Sequence, residues 1–128
     1  MENLFNKVKD YVTELDYEIL YENETDGILV IDKQEYGIQN MVLGVANPIL
    51  IVEQYLFTCS SDEVYKALLI KNRDIVHGAF VLDDTGKKVI FRNTLQVESL
   101  DRTELESTIN SLSLLLSEYS NEILKFSK

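Results

Sequence analysis

The sequence predicts one α+β domain, an antiparallel sheet with helices in the order α-β-β-β-β-α-β-β-α. Three observations predict it. Apolar residues recur at helical spacing in three segments and at strand length in six others. The strands are joined by short connections, several rich in Gly, Asn and Asp, which favour antiparallel neighbours. The strands also fall into two runs with the helices set apart from them, unlike an alternating βαβ pattern. A chain of 128 residues with 45% hydrophobic and 27% charged residues fits a single domain over residues 1–128.

The first helix is read over residues 3–15, with Leu4, Phe5, Val8, Tyr11, Val12 and Leu15 on one stripe and Asn3 as its N-cap. From residue 17 the period changes to two. Tyr17, Ile19 and Tyr21 alternate with Glu18, Leu20 and Glu22 as a half-buried strand. Asn23 to Gly27 form a turn, Ile28–Asp32 a second strand, and Lys33 to Gly37 another turn. Ile38–Val45 and Ile49–Phe57 are strands three and four, separated by Ala46-Asn47-Pro48. Ser60 and Glu63 read as a capping box for a helix of about a dozen residues that turns Val64, Tyr65, Leu68 and Leu69 inward. His77–Asp83 and Lys88–Val97 are strands joined by the hairpin signal Asp83-Asp84-Thr85-Gly86. Asp101 and Glu104 cap the last helix, whose seam is Leu105, Ile109, Leu112, Leu116, Tyr119, Ile123 and Phe126.

Charge narrows the classes of partner. The net charge is −10 and the pI about 4.5, which argues against nucleic acid and anionic membranes, both of which need clustered Lys and Arg. Residues 1–64 hold 13 acids against Lys7, Lys9 and Lys33 and so carry the whole excess, while residues 65–128 balance. This acidity reads as a solvated, edge-protecting surface or as one that steers a basic segment through Glu18, Glu22 and Glu24. There is no signal-peptide pattern and no apolar run long enough for a membrane span, so a cytoplasmic protein is expected.

A sheet covered on one side should alternate apolar and polar residues. The second and fourth strands do not. Ile49, Ile51, Tyr55 and Phe57 fall on one parity of the fourth strand, and Leu50, Val52 and Leu56 on the other. Each buried Ile or Leu contributes roughly 1.5–3 kcal/mol, so something should cover the second face. Three helices divided between the faces would do so, and so would a second copy or a partner. Leu114 and Leu115, off the main seam of the last helix, favour a homodimer.

The chemistry-bearing residues are sparse. Cys59 and His77 are single, and neither lies in a nucleophile signature. The acids near the turns lack calcium-loop spacing, one His and one Cys make no zinc set, and no Gly-rich phosphate loop occurs. No catalytic residue, metal or cofactor is assigned, and an enzyme is not expected. Arg92 is a candidate contact residue, unless it pairs across strands with an acid.

The run from Asn72 through Arg73, Asp74, Ile75, Val76, His77, Gly78, Ala79, Phe80, Val81 and Leu82 to Asp83 resembles a small bacterial family, as does Val89 to Leu95. That family is the YbjN-like or Tir-chaperone-like group, labelled after the specific chaperones of type III secretion. Asn47-Pro48-Ile49-Leu50 and the closing helix from Thr108 to Phe126 fit the same pattern. The resemblance implies a type III secretion chaperone-like α+β sandwich, commonly dimeric. It also implies small acidic chaperones that hold a partly unfolded client in apolar grooves.

The combined reading is a non-enzymatic protein-binding module, chaperone-like or adaptor-like, engaging a peptide by strand addition or groove docking. Ile51, Val52, Tyr55, Leu56 and Phe57 would supply the partner or dimer surface together with Leu114 and Leu115. The alternatives are a structural or regulatory homodimer without a client and, least favoured, a Cys/His enzyme.

Overall fold

Asn3 caps the first helix as the sequence suggests, its side-chain oxygen accepting the Asn6 N–H at 3.1 Å. The computed structural model describes residues 3–126, together with most side chains in that range. Helix α1 (Leu4–Glu14) buries Phe5, Val8 and Val12. Strands β1 (Glu18–Asn23), β2 (Ile28–Lys33), β3 (Ile38–Ala46) and β4 (Ile49–Thr58) follow as an antiparallel meander. Gly27 makes the first hairpin possible. Its φ is +72°, and a Cβ there would lie 2.5 Å from the Val45 carbonyl oxygen.

After helix α2 (Asp62–Asn72) come β5 (Ala79–Leu82) and β6 (Lys88–Gln96), then helix α3 (Arg102–Phe126). The sheet order is β1-β2-β3-β4-β6-β5, so β6 docks against β4 and leaves β5 at the edge. The turn from Asp83 to Gly86 closes the last hairpin, with the Gly86 N–H donating to the Asp83 carbonyl at 2.9 Å. Asp101 caps α3 by accepting the Glu104 N–H at 2.7 Å. The α+β class and the order of elements agree with the sequence reading.

Four local expectations are corrected. Ser61, not Ser60, caps α2 and accepts the Val64 N–H, while Cys59 Sγ accepts the Ser61 N–H at 3.4 Å. Leu69 does not turn inward. It is 70% exposed, because α2 meets the sheet through Leu68, the only residue of the helix that is buried.

The third correction concerns β4. Leu50, Val52 and Gln54 are buried in alternation, and a register shift between Tyr55 and Phe57 returns Phe57 to their side. A bulge inserts one residue and so reverses the parity of everything after it. Both parities of β4 are therefore apolar, but only one faces the core. The fourth correction is Leu115, which joins Leu105, Ile109 and Leu112 in that core. The side chains of Ile123 and Phe126 lie outside the described ones.

The buried residues of all three helices form one cluster with Leu29, Ile31, Met41, Leu43, Leu50, Val52, Phe57, Phe80, Val89 and Phe91. The helices thus cover one face of the sheet. Lys7 Nζ reaches the Val97 and Glu98 carbonyls, and Tyr11 OH the Leu100 carbonyl, fastening α1 to the approach to α3. Gln54 is a polar residue on this apolar side. Its carboxamide accepts the Gln39 N–H at 3.2 Å and donates to the Gly37 carbonyl at 3.1 Å, which satisfies the bend into β3.

Candidate functional site

The face opposite the helices carries the other parity of the same strands. In register across the sheet lie Tyr21, Val30, Val42, Glu53, Arg92 and Ala79, and beside them Asn23, Ile28, Gly44, Ile51 and Thr94. Tyr21, Val42, Ile49 and Tyr55 are exposed, and Ile28, Val30 and Ile51 half-buried. The apolar residues concentrate on β1 to β4. Arg92 Nε sits 3.3 Å from Glu53 Oε1, and beyond that pair β6 presents Lys88, Thr94 and Gln96. Arg92 thus makes the cross-strand acid pair. The face is half oily and half polar, with an ion pair on the boundary.

The acids divide the same way. Glu18 lies opposite Asp32 in the β1–β2 register, so two carboxylates share one end of the open face. Like charges in that position repel. Glu22 lies on the helix side, 2.8 Å from Lys9 Nζ, and its hydrogen bond holds the Lys9 ammonium above its ordinary pKa. Glu24 accepts the Asn3 amide at 2.8 Å. Glu22 and Glu24 therefore tie α1 to β1, while Glu18 is left facing outward on the bare side.

Of the residues singled out for a partner or dimer surface, Ile51 and Tyr55 lie on the open face, Tyr55 53% exposed with its hydroxyl 2.7 Å from Thr58 Oγ1. Leu56 is half-buried at the bulge. Val52, Phe57 and Leu115 are core residues of the protomer, because the sheet pleat and the helix turn point them at the helix–sheet layer. Sequence reasoning missed Tyr21, Val30 and Val42 as open-face residues. No local signal marks Val42, since Met41, Val42 and Leu43 are all apolar, and only the pairing register places it outward between two buried neighbours.

A second apolar patch lies on α2, the α2–β5 loop and α3. Val76 (85% exposed) and Leu114 (61% exposed) line one groove of about 200 Å³ with Ile75, His77, Phe91 and Tyr119. Lys71 Nζ lies 4.4 Å from the Tyr119 ring centroid and ties α2 to α3 there. His77 thus sits at the entry to β5. Cys59 lies at the hairpin end of that strand, its N–H bonded to the Lys87 carbonyl at 2.7 Å. The two are not brought together. Tyr65 OH bonds both the Cys59 and the Gly86 carbonyls, which gives Cys59 a structural setting.

No helix among the described residues is long and apolar enough to cross a membrane. Among the described residues no group of three or more His, Cys, Asp or Glu side chains is placed to hold a metal ion.

A six-stranded antiparallel sheet, clad by three helices on one side and bare on the other, has the fold of the type III secretion chaperones. The chain belongs to the CesT_Tir_1 family, whose model matches residues 1–128. Similar solved structures include YbjN from E. coli, described as a candidate transcription regulator, with a TM-score of 0.71, 12% identity and 92% of each chain covered. The Yersinia pestis type III secretion chaperone SycH, solved with a stable fragment of YscM2, gives 0.63 and 18%, with 97% of this chain and 99% of that one covered. The HopA1–SchA chaperone–effector complex gives 0.68 and 15%, with 91% and 94% covered. No curated protein sequence matches the chain.

Proposed function

We propose that the protein is a non-enzymatic, chaperone-like or adaptor-like module that holds a segment of a partner polypeptide on the bare face of its sheet. One observation carries this reading: Tyr21, Ile28, Val30, Val42, Ile49, Ile51 and Tyr55 form an apolar surface that no element covers among the described residues. Contiguous apolar area of this kind marks interaction sites. Glu18 and Asp32 at its margin, within an acidic half-chain, favour a segment carrying Lys or Arg beside its apolar residues. Structures of SycH and SchA with their protein partners support the same reading by likeness of fold. A cytoplasmic setting accords with it.

A synthetic amphipathic Leu/Lys peptide tests the proposal. The wild type should bind it in a salt-sensitive manner, and Val42→Ser combined with Ile51→Ser and Tyr55→Ser should weaken binding by about tenfold or more, or at least 1.4 kcal/mol. Equal binding by a folded triple variant refutes the site.

A specific observation favours homodimerisation as a second property. Val76, Leu114, Leu69 and Ile70 are large apolar residues left exposed on the α2–α3 side, away from the open face. Light scattering should find a dimer that Val76→Glu with Leu114→Glu converts to a monomer. An unchanged mass for that variant removes this patch as the contact.

A further inference from the structure

Four of the five glycines have a reason within the chain itself. Gly27, Gly37, Gly78 and Gly86 hold φ between +72° and +87°, where a side chain is strained. Gly44 does not. Its φ lies outside the left-handed region. Among the described residues a Cβ built on it would meet only Ile28 Cδ1 at 3.7 Å and Ile51 Cβ at 4.0 Å, both ordinary van der Waals distances. Glycine in the middle of a strand weakens it, and in β3 neither backbone nor packing requires one. What the missing side chain leaves is a notch in the open face. Half-buried Gly44 lies between Ile28 on β2 and Ile51 on β4 in the register of the sheet, two residues from Val42. A strand glycine often marks a place where another chain approaches closely. Along β2 the same face continues from Ile28 through Val30 to Asp32, which is paired with Glu18. At about 3.3 Å per residue, the Asp32 position stands roughly 13 Å from the notch.

We infer that Gly44 is the specificity-determining position of the open face. Its notch seats a branched apolar side chain, Leu or Ile, of an extended partner segment that sets Lys or Arg against Glu18 and Asp32. This rests on the open-face reading proposed above and says what that face selects. The notch and the acids lie along one strand direction, so an extended segment laid over β2 and β3 brings residues i, i+2 and i+4 down on the same face. Leu then stands over Gly44, a second apolar residue over Val30 and Val42, and the cation over the two carboxylates. The acidic margin favours this basic segment over a second copy, which carries the same net charge of −10.

Fluorescence anisotropy on the full chain with labelled synthetic peptides tests the inference. One peptide carries Lys, Val and Leu at alternate positions with Ser between them, and its twin has Ala in place of Leu. The wild type should bind the Leu peptide about tenfold or more tightly than the twin. Gly44→Val should fold with a urea midpoint no lower than the wild type, bind the Leu peptide about tenfold more weakly, and bind the twin as the wild type does. Gly44→Ala should fall between the two, and it decides should Gly44→Val fail to fold. Glu18→Gln with Asp32→Asn should weaken the Leu peptide severalfold and flatten its salt dependence. A lower urea midpoint for Gly44→Ala overturns the inference, because the protomer itself would then need the glycine. So does a preference for Leu that both Gly44 variants retain, or binding indifferent to the two acids. A Gly44→Val chain whose mass changes in light scattering while its peptide binding does not puts a second copy on the face and overturns it too. The amphipathic Leu/Lys peptide separates the two levels. If the wild type and the Gly44 variants bind it equally, the open-face reading stands and this inference falls; if the wild type binds no peptide, both fall.

Discussion

The two faces of the sheet are built from the same strands and are both apolar over much of β2 to β4, yet they meet different surroundings. Leu29, Ile31, Leu43 and Leu50 are sealed beneath the helices, while Val30, Val42, Ile49 and Ile51, their neighbours in sequence, look outward. Hydrophobicity along a strand therefore reports how oily each face is, not which face the chain itself covers. Coverage is decided by the helices, and all three choose one side. The oily residues left over are the feature from which a binding function is argued.

Adjacent residues of β3 give the sharpest test of that contrast. Leu43→Ala opens a cavity beneath the helices and should cost about 2–5 kcal/mol in denaturant unfolding. Val42→Ser, one residue away, should stay within about 0.5–1 kcal/mol, since its side chain is already in contact with water. Comparable losses at the two positions would mean that the outer face is covered in solution.

Gln54 tests the helix side from the opposite direction. Replacing it with Leu keeps the volume but strips partners from the Gln39 N–H and the Gly37 carbonyl. The expected loss is about 1–3 kcal/mol, by urea unfolding, because unmet buried backbone groups outweigh the added apolar surface. A stabilised variant would show that water reaches this bend.

Tyr17 supplies a pH signature of the covered side. Burial, with smaller contributions from Tyr36 and Glu106, pushes its phenol up from 10.0 to about 12. The folded state therefore holds this proton more tightly than the unfolded chain. The stabilisation is fully present below pH 10 and is lost as pH rises through about 12. The Tyr65 phenol is also raised by burial, so phenolate absorbance should show a late-titrating component that Tyr17→Phe reduces by one tyrosine. A titration unaltered by that substitution would place Tyr17 in water.

What could be read in advance was local, and what could not was tertiary. The Asn3 and Asp101 caps and the turn from Asp83 to Gly86 are written within a few residues, and each forms as its sequence suggests. The facing of Phe57 depends on a bulge in the pairing of β4 with β6, which no alternation rule contains. The choice of Ser61 over its neighbour follows from Cys59 Sγ and from Tyr65 gripping the Cys59 carbonyl. In α2, Leu68, Leu69 and Ile70 compete for one inward position, and only contact with the sheet selects Leu68. The oily middle strands were legible as a candidate site, but their outward half, Val30 and Val42 included, required the register. The Asn72 side chain of α2, which accepts the Phe80 N–H and donates to the Phe80 carbonyl, joins residues of different elements and leaves no trace in local pattern.

The smallest expected effect concerns the ion pair on the boundary of the open face. Arg92 and Glu53 have side chains 43% and 37% exposed, so water screens their attraction and competes for their hydrogen bonds. Arg92→Gln should therefore change stability by less than about 1 kcal/mol, with even that difference shrinking in high salt. Once a partner or second copy lies over the face, the same pair loses its water, and removing Arg92 leaves Glu53 uncompensated beneath the contact. The substitution should then weaken association more than it weakens folding. A loss of several kcal/mol in the isolated protein would show that this surface is dry before any partner arrives, and the distinction between the two faces would fail.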